Sequence, residues 1–164
     1  MMLYRHMVRD SSWIEREASS GKSLYHDDDI VIVLKEHHEE GDFRRLHVLT
    51  FVTTKHQNIL SVRDLNESHL PLLISMYNQT TVVLMNLFHI HPKELRCFVH
   101  YVPSVFRFHL HFCCTEMIGP NMMIGRAIQF HDIINNISVK PDYYQIVNMT
   151  YSLRSDDELF YCFE

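Results

Sequence analysis

Residues 100–112 read HYVPSVFRFHLHF, and this stretch does most to decide the fold. From position 106 onward, apolar residues alternate with Arg or His. Because successive side chains of a strand point to opposite faces, we predict a strand over residues 105–114. Its core face would carry the apolar set, Phe106, Phe108, Leu110 and Phe112. Arg107, His109 and His111 would form a polar row on the other face.

The segment before this strand, residues 95–102, is predicted to be its antiparallel partner. We predict that Pro103-Ser104 forms a two-residue hairpin loop between them, which places His100 opposite Arg107. A bulge would move this pairing by one residue. In either register, several nitrogen-bearing side chains share one patch of sheet.

The rest of the chain alternates between β-rich and helical segments. Further strands are predicted over residues 30–34, 46–54 and 146–153. Apolar spacing predicts a long helix over residues 68–89, a second helix over 121–137 and a short one that begins at Ser155. Residues 1–21 look loosely structured. We therefore expect an α+β domain in which a long helix and a shorter one pack on an antiparallel sheet.

Composition narrows the class of protein. The chain has 164 residues, of which 46% are hydrophobic and 21% charged, the balance of one globular domain. Its net charge of -5 argues against coating duplex DNA. We find no secretory signal and no apolar run near the roughly 20 residues that a membrane span needs. The four cysteines lack C-x-x-C spacing, so we expect reduced thiols and a cytoplasmic or nuclear location.

The polar row suggests phosphate chemistry. An imidazole can attack phosphorus and form a covalent intermediate, and nearby Arg and His donors can hold the nonbridging oxygens. Two alternatives stay open at this point. Alternating histidines can simply line the exposed face of a sheet. A pair of histidines two residues apart can also chelate a metal, although no carboxylate accompanies them in the strand.

A family resemblance strengthens the first interpretation. Residues 107–113, RFHLHFC, resemble the histidine-triad signature His-φ-His-φ-His-φ-φ with its first His replaced. The wider chain resembles the C-terminal domain of the scavenger mRNA decapping enzyme, a histidine-triad hydrolase. The matching segments occur in family order: SVRDL (61–65), SHLPLL (68–73), LRCFVHYVPS (95–104), DYYQ (142–145) and SLRSDD (152–157). The resemblance implies a hinge-like segment over residues 1–27 and a histidine-triad-like domain over 28–164.

The resemblance also implies a reaction and a set of site residues. His109 matches the central triad His, which attacks the cap triphosphate, forms a phosphohistidine and releases 7-methylguanosine monophosphate. The implied phosphate or substrate contacts are His100, Ser104, Arg107, His111, Arg126 and Lys35. Trp13, the only tryptophan, would stack on the cationic methylated base. No metal or cofactor is implied.

Several of these residues have a plainer interpretation. Ser104 would be only a turn residue, Lys35 a solvated strand end and Arg126 part of the polar face of a helix. Trp13 would be a hydrophobic anchor for the N-terminus. Glu15 or Glu17 could accept from the guanine edge, but surface placement is the favoured interpretation for both.

Three positions depart from the family pattern. Arg107 replaces the first triad His, and a guanidinium stays protonated and accepts no hydrogen bond; it could instead add a phosphate clamp. Val33 replaces an aspartate near the methylguanine, and Val105 replaces a tyrosine beside the phosphates. The family's separate N-terminal domain is also not in this sequence. We therefore expect reduced activity, from a fragment, a divergent gene product or a site that stays open to water.

Three functions remain in competition. The first is a cap diphosphatase, or more broadly a nucleotide pyrophosphatase. The second is a pseudoenzyme that binds cap or nucleotide without turnover. The third is an interaction protein whose sheet is only a dimer surface. All three predict a homodimer, because histidine-triad domains generally pair and the long helix has apolar positions to spare. None predicts a membrane or duplex DNA as partner.

Overall fold

The computed structural model describes residues 11–19, 21, 23–35, 45–117, 119, 122 and 125–152. Six antiparallel strands form one sheet: β1 (Tyr25–His26), β2 (Ile30–Leu34), β3 (His47–Val52), β4 (Leu95–His100), β5 (His109–Cys114) and β6 (Ala127–Gln129). The helices are α1 (Ser12–Ser19), α2 (Leu70–Phe88), α3 (Phe130–Val139) and α4 (Tyr143–Ile146). The strand order is β1-β2-β3-β5-β4-β6. The predicted α+β architecture is confirmed.

The two faces of the sheet have different partners. On the inner face, β-strand residues such as Val48, Leu110 and Phe112 are fully buried against Leu73 and Met76 of α2. This inner face is the main core. The outer face, which carries His109 and His111, has its own apolar cluster. That cluster consists of Val31, Val33 and Phe51 from the sheet and Ile14 from α1.

The long helix α2 begins and ends where the sequence indicates. In the turn before it, the side chain of Asn66 accepts the backbone N–H of Ser68 (2.9 Å), and Pro71 lies in its first turn. It ends at His89, whose φ of 57° is left-handed. Thr80 of α2 and Thr50 of β3 share a hydrogen bond of 2.7 Å between their buried hydroxyls. This bond ties the helix to the centre of the sheet.

The predicted two-residue hairpin is wrong. Eight residues, 101–108, connect β4 to β5, and Phe98 lies opposite His111 instead of His109. The register differs by two residues, so every side chain keeps its predicted face. The cause is that the backbone of Phe108 forms its hydrogen bonds with other segments. Its carbonyl accepts from the N–H of Val52, and its N–H donates to the carbonyl of Ile59. These bonds hold Phe108 away from β4.

Three other predicted boundaries are also wrong. Residues 127–129 are not helical but form β6, because they satisfy the free edge of β4; the helix that follows is α3. The predicted strand over 146–153 begins inside α4, and residues 147–152 are irregular. The guanidinium of Arg63 donates to the Tyr144 and Val147 carbonyls (2.8 and 2.6 Å), which fixes this turn. Within the predicted loose N-terminus, residues 12–19 form α1 because Ile14 is buried on the sheet.

Other predictions fall partly or wholly outside the described residues. The C-terminal helix predicted from Ser155 is among these. Cys97, Cys113 and Cys114 are buried, whereas Cys162 lies outside the described residues. Within the part of the chain that is described, no helix is long and apolar enough to cross a membrane.

Candidate active site

The imidazole of His109 is held on the outer face by a hydrogen bond and by a ring contact. Its Nδ1 lies 2.7 Å from the carbonyl oxygen of Arg107 and therefore donates to it. Its ring stacks on Phe51 with 4.6 Å between the centroids. Burial lowers the pKa of His109 to about 4, because desolvation disfavours the charged ring. The ring is therefore neutral near pH 7, with its proton on Nδ1 and the lone pair on Nε2.

His111 has one ring nitrogen satisfied and one unused. Its Nδ1 lies 2.9 Å from Nε2 of His47. Its Nε2 is buried and has no hydrogen-bond partner among the described residues. Burial holds the pKa of His111 well below its ordinary value. A buried polar atom without a partner is costly in a native domain, so this nitrogen indicates a place for a ligand atom.

His47 is a site residue that the sequence analysis missed. It begins β3 and faces outward like Leu49 and Phe51, because its register partner is Cys113. Burial lowers the pKa of His47 to about 3, and the charge of Lys35 adds to the effect. The signal in the sequence was weak, since His47 is one of 13 histidines.

His100 completes an imidazole cluster on the outer face, formed by His47, His100, His109 and His111. The ring centroid of His100 lies 4.1 Å from that of His111, and those of His109 and His111 are 4.8 Å apart. The charge that His100 can carry contributes to lowering the pKa of both His109 and His111. The structure therefore brings together all the predicted imidazoles and adds a fourth.

Lys35 lies at the border of this cluster. It follows β2, and its backbone N–H donates to the His47 carbonyl (3.0 Å). Its positive charge contributes to lowering the pKa of three cluster members and of the Cys113 thiol, which burial raises to about 12. An exposed cation beside the uncharged imidazoles of His47, His109 and His111 gives the site a positive potential without protonating these rings.

Arg107 faces the same side of the sheet but points to a partner in α1. Its guanidinium forms an ion pair with the Glu15 carboxylate, and its side chain is only 11% exposed. Trp13, also in α1, makes an edge-to-face contact with Phe51 at 5.3 Å. The predicted phosphate clamp and the predicted stacking residue thus both meet at the docked helix α1. The side chain of Glu15 is 39% exposed, which agrees with the surface placement favoured for it, and its carboxylate is engaged in this ion pair.

Two predicted phosphate contacts, Ser104 and Arg126, lie outside the strands that carry the cluster. Ser104 is exposed on the connection between β4 and β5. Arg126, whose carbonyl accepts from Tyr101 N–H, lines a cavity of about 230 Å³ to which no cluster imidazole contributes. Arg126 does not lie on a helix, because residues 127–129 form β6.

The outer face is not the solvated row that one alternative proposed. His109 and His111 are 5% and 4% exposed, although they point away from the main core. Val33 and Val105, which replace polar family residues, belong to or pack on the apolar cluster under α1. No group of three or more His, Cys, Asp or Glu side chains in the described ranges is arranged to hold a metal ion.

Comparison with known proteins identifies the family of this chain. A family model for "Scavenger mRNA decapping enzyme C-term binding" matches residues 12–124. The chain belongs to this family. The m7GpppX diphosphatase of Homo sapiens is 33% identical over 103 residues, which are 63% of this chain and 31% of that protein. The Caenorhabditis elegans m7GpppX diphosphatase is 25% identical over 154 residues, 92% of this chain and 49% of that protein.

This chain thus spans about half, or less, of these curated relatives. Among solved structures, the aprataxin ortholog Hnt3 from Schizosaccharomyces pombe superposes with a TM-score of 0.55 at 15% identity. The superposition covers 89% of this chain and 87% of that one. At this identity the likeness establishes the histidine-triad-like fold alone.

Proposed function

We propose that this chain is a histidine-triad hydrolase that cleaves the triphosphate of a methylated 5′ cap on a nucleotide or short RNA. The observation that carries the proposal is the arrangement of two buried imidazoles on one face. His109 is neutral with its Nδ1 held by a carbonyl. His111, beside it, has an unused Nε2. Family membership supports the same chemistry.

In the first step, Nε2 of His109 attacks the phosphorus next to the methylated guanosine. An N–P bond forms as the bond from phosphorus to the bridging oxygen breaks, and the rest of the cap leaves as a diphosphate. Water then attacks the phosphorus, and the N–P bond breaks. The products are 7-methylguanosine monophosphate and neutral His109.

His111 has the complementary role of donating to a nonbridging oxygen. When His47 Nε2–H donates to Nδ1 of His111, the proton of His111 resides on Nε2 and faces the substrate. A phosphate oxygen would then satisfy the unused nitrogen. An unmade hydrogen bond of a buried group costs about 1–3 kcal/mol, so substrate binding would recover an energy of that order.

The remaining predicted contacts enter the proposal with different support. His100 has its ring beside His111, and Lys35 acts on the cluster through its charge. Both are suited to offset the charge of the phosphate chain. Ser104 and Arg126 enter on the family resemblance rather than on a contact. Arg107 would contact phosphate only after leaving Glu15.

Trp13 is the proposed stacking residue for the methylated base. Its contact with Phe51, which itself stacks on His109, places the indole two ring contacts from the nucleophile. A cationic base prefers an indole face. Titration with 7-methylguanosine nucleotide should therefore quench Trp13 fluorescence more than titration with guanosine nucleotide. Equal quenching would remove Trp13 from the base site.

A second candidate function is a domain that binds a capped nucleotide without cutting it. The observation that favours it is Arg107, which replaces a triad His and is already paired with Glu15. A guanidinium does not give up a proton to a leaving group at neutral pH. This candidate predicts measurable binding of cap dinucleotide with no release of monophosphate.

The deciding experiment is incubation of the purified chain with methylated cap dinucleotide. Release of 7-methylguanosine monophosphate is followed by chromatography, and binding by calorimetry. H109N should abolish release and keep the fold. The matched control is H131N, because His131 is exposed on α3 and should leave the rate unchanged. Binding without release would establish the second candidate, and an unchanged rate in H109N would remove His109 from its role.

We also propose that the chain pairs with a second copy through α2. Ile74, Val82 and Met85 lie on one side of this helix and are 46%, 53% and 42% exposed. Sedimentation should give twice 19.6 kDa. V82K should raise the dimer dissociation constant by about tenfold or more, since an unpaired charge at an apolar interface costs several kcal/mol. V139K, at an exposed position of α3, is the control; an equal response of both variants would exclude α2 as the interface.

A further inference from the structure

Helix α1 is fastened to the outer face by apolar packing and by an ion pair. Ile14 is fully buried against the apolar cluster of β2 and β3. Glu15, the next residue, forms the ion pair with Arg107, immediately before β5. The packing of Ile14 is apolar, so a phosphate group does not compete for it. The ion pair is made to Arg107, which lies on the same face as His109 and whose backbone carbonyl accepts a hydrogen bond from the His109 ring.

Glu15 and a substrate phosphate would compete for the same group. A guanidinium binds carboxylate and phosphate oxygens through the same planar set of N–H donors. The Arg107 side chain is only 11% exposed while it is paired with Glu15, so a second anion does not reach all of its N–H donors. The backbone carbonyl of Arg107 also accepts from Nδ1 of His109, so the residue that pairs with Glu15 is in direct contact with the ring of the proposed nucleophile.

We propose that Glu15 is an internal stand-in for substrate phosphate: its carboxylate holds Arg107 in the free protein, and the incoming phosphate chain displaces it and releases α1 from its packing on the outer face, so that Trp13 moves from Phe51 onto the methylated base. This inference rests on the proposed function, because it requires phosphate at the imidazole cluster. The inference goes beyond that function because it gives Arg107 two alternating partners, the Glu15 carboxylate and the substrate phosphate.

The packing around α1 suits such a release. His109 is only 5% exposed in the closed arrangement, so a phosphorus atom reaches its Nε2 only after a neighbouring group moves. Helix α1 has eight residues, a length at which a helix is marginal without tertiary contacts. A cavity of about 250 Å³ lies along it, lined by Glu15, Ala18 and Ser19 on one side and by Val31 and Thr53 on the other. This cavity leaves space beside the helix into which it can move.

Hydrogen exchange of residues 12–19, with inorganic pyrophosphate as the probe, tests the release directly. In the wild-type chain, saturating pyrophosphate should speed exchange of the α1 amides. In E15Q, exchange should already be fast without the probe. E15Q should also bind pyrophosphate with about fivefold lower Kd, the factor that corresponds to losing a competing ion pair of about 1 kcal/mol. E17Q, two residues along the same helix, is the matched control and should behave as the wild type.

A charge reversal separates the ion pair from the fold. The double variant E15R/R107E should keep α1 protected, because the pair is rebuilt with opposite polarity, and pyrophosphate should no longer speed its exchange. The proposal is overturned if pyrophosphate slows or leaves unchanged the α1 exchange of the wild type. It is equally overturned if E15Q binds no tighter than E17Q.

The cap-cleavage assay, run in parallel, distinguishes this proposal from the proposed function. Cleavage with no release of α1 overturns the displacement alone. Release of α1 by pyrophosphate with no cleavage supports the displacement and rejects the hydrolase. Absence of pyrophosphate binding in both the wild type and E15Q, together with absence of cleavage, rejects both.

Discussion

Acidification should destabilise this domain through histidines that folding keeps neutral. The pKa of His109 falls from an ordinary 6.5 to about 4, and that of His47 to about 3, chiefly because both rings are desolvated. The pKa of His111 is also held well below its ordinary value, for the same reason. An unfolded chain protonates these rings near pH 6.5, whereas the folded chain does not. Stability is therefore complete above about pH 6.5 and is lost as the pH falls toward the folded-state pKa values.

The magnitude follows from the gap between the two states. For His109, the difference between a pKa of 6.5 and one of about 4 corresponds to about 3 kcal/mol. Each such histidine adds a slope of up to about 1.4 kcal/mol per pH unit between these limits. Three of them give up to about 4 kcal/mol per pH unit near pH 5. A single domain has about 5–15 kcal/mol in total, so acid unfolding should begin well above the pKa values of its carboxylates.

Urea denaturation at several pH values between 7.5 and 4.5 measures this dependence. H109N should lower the slope near pH 5 by about one proton, or about 1.4 kcal/mol per pH unit. H131N is the control, because the ring of His131 is exposed on α3 in the folded state, and its slope should match that of the wild type. The reasoning is refuted if H109N keeps the full slope, or if the control loses as much.

Three further predictions concern contacts within the fold. H47Q should destabilise the domain by about 1–3 kcal/mol in urea and lower cap turnover, because His111 then loses the partner that sets its tautomer; unchanged turnover would remove that role. T80V should cost about 1–3 kcal/mol because it leaves the buried Thr50 hydroxyl without its side-chain partner, and the T50V/T80V double variant should recover part of this loss. R63Q should speed hydrogen exchange in α4, which Arg63 ties through two carbonyls, and equal exchange would show that packing alone holds α4.

Local pattern was sufficient where one element has one dominant partner. The apolar spacing of α2 predicted its position to within two residues at each end. Sequence patterns failed to predict the structure of segments whose conformation is determined by hydrogen bonds to a neighbouring segment. Residues 127–129 have a spacing compatible with a helix, but they fill the edge of β4 and become a strand. Residues 147–152 are rich in strand formers, but Arg63 fixes the turn from which they depart.

The candidate site divides in the same way. Its predicted members that belong to β4 and β5, namely His100, His109 and His111, do share one face, because a two-residue period assigns faces whatever the register. Ser104 and Arg126 lie outside these strands. Their proposed roles rested on a likeness between sequences, and no local period governs where an irregular connection or an edge residue lies.

The order of residues by itself determined which side chains of β5 point inward and which outward, since this is a property of any extended chain. Only the tertiary structure decided that the outward face is buried and neutral. It brought His47 to His111 across 64 positions and Glu15 to Arg107 across 92. Such contacts depend on strand register and on the docking of α1, which are set by burial over the whole domain and leave no periodic trace in the sequence.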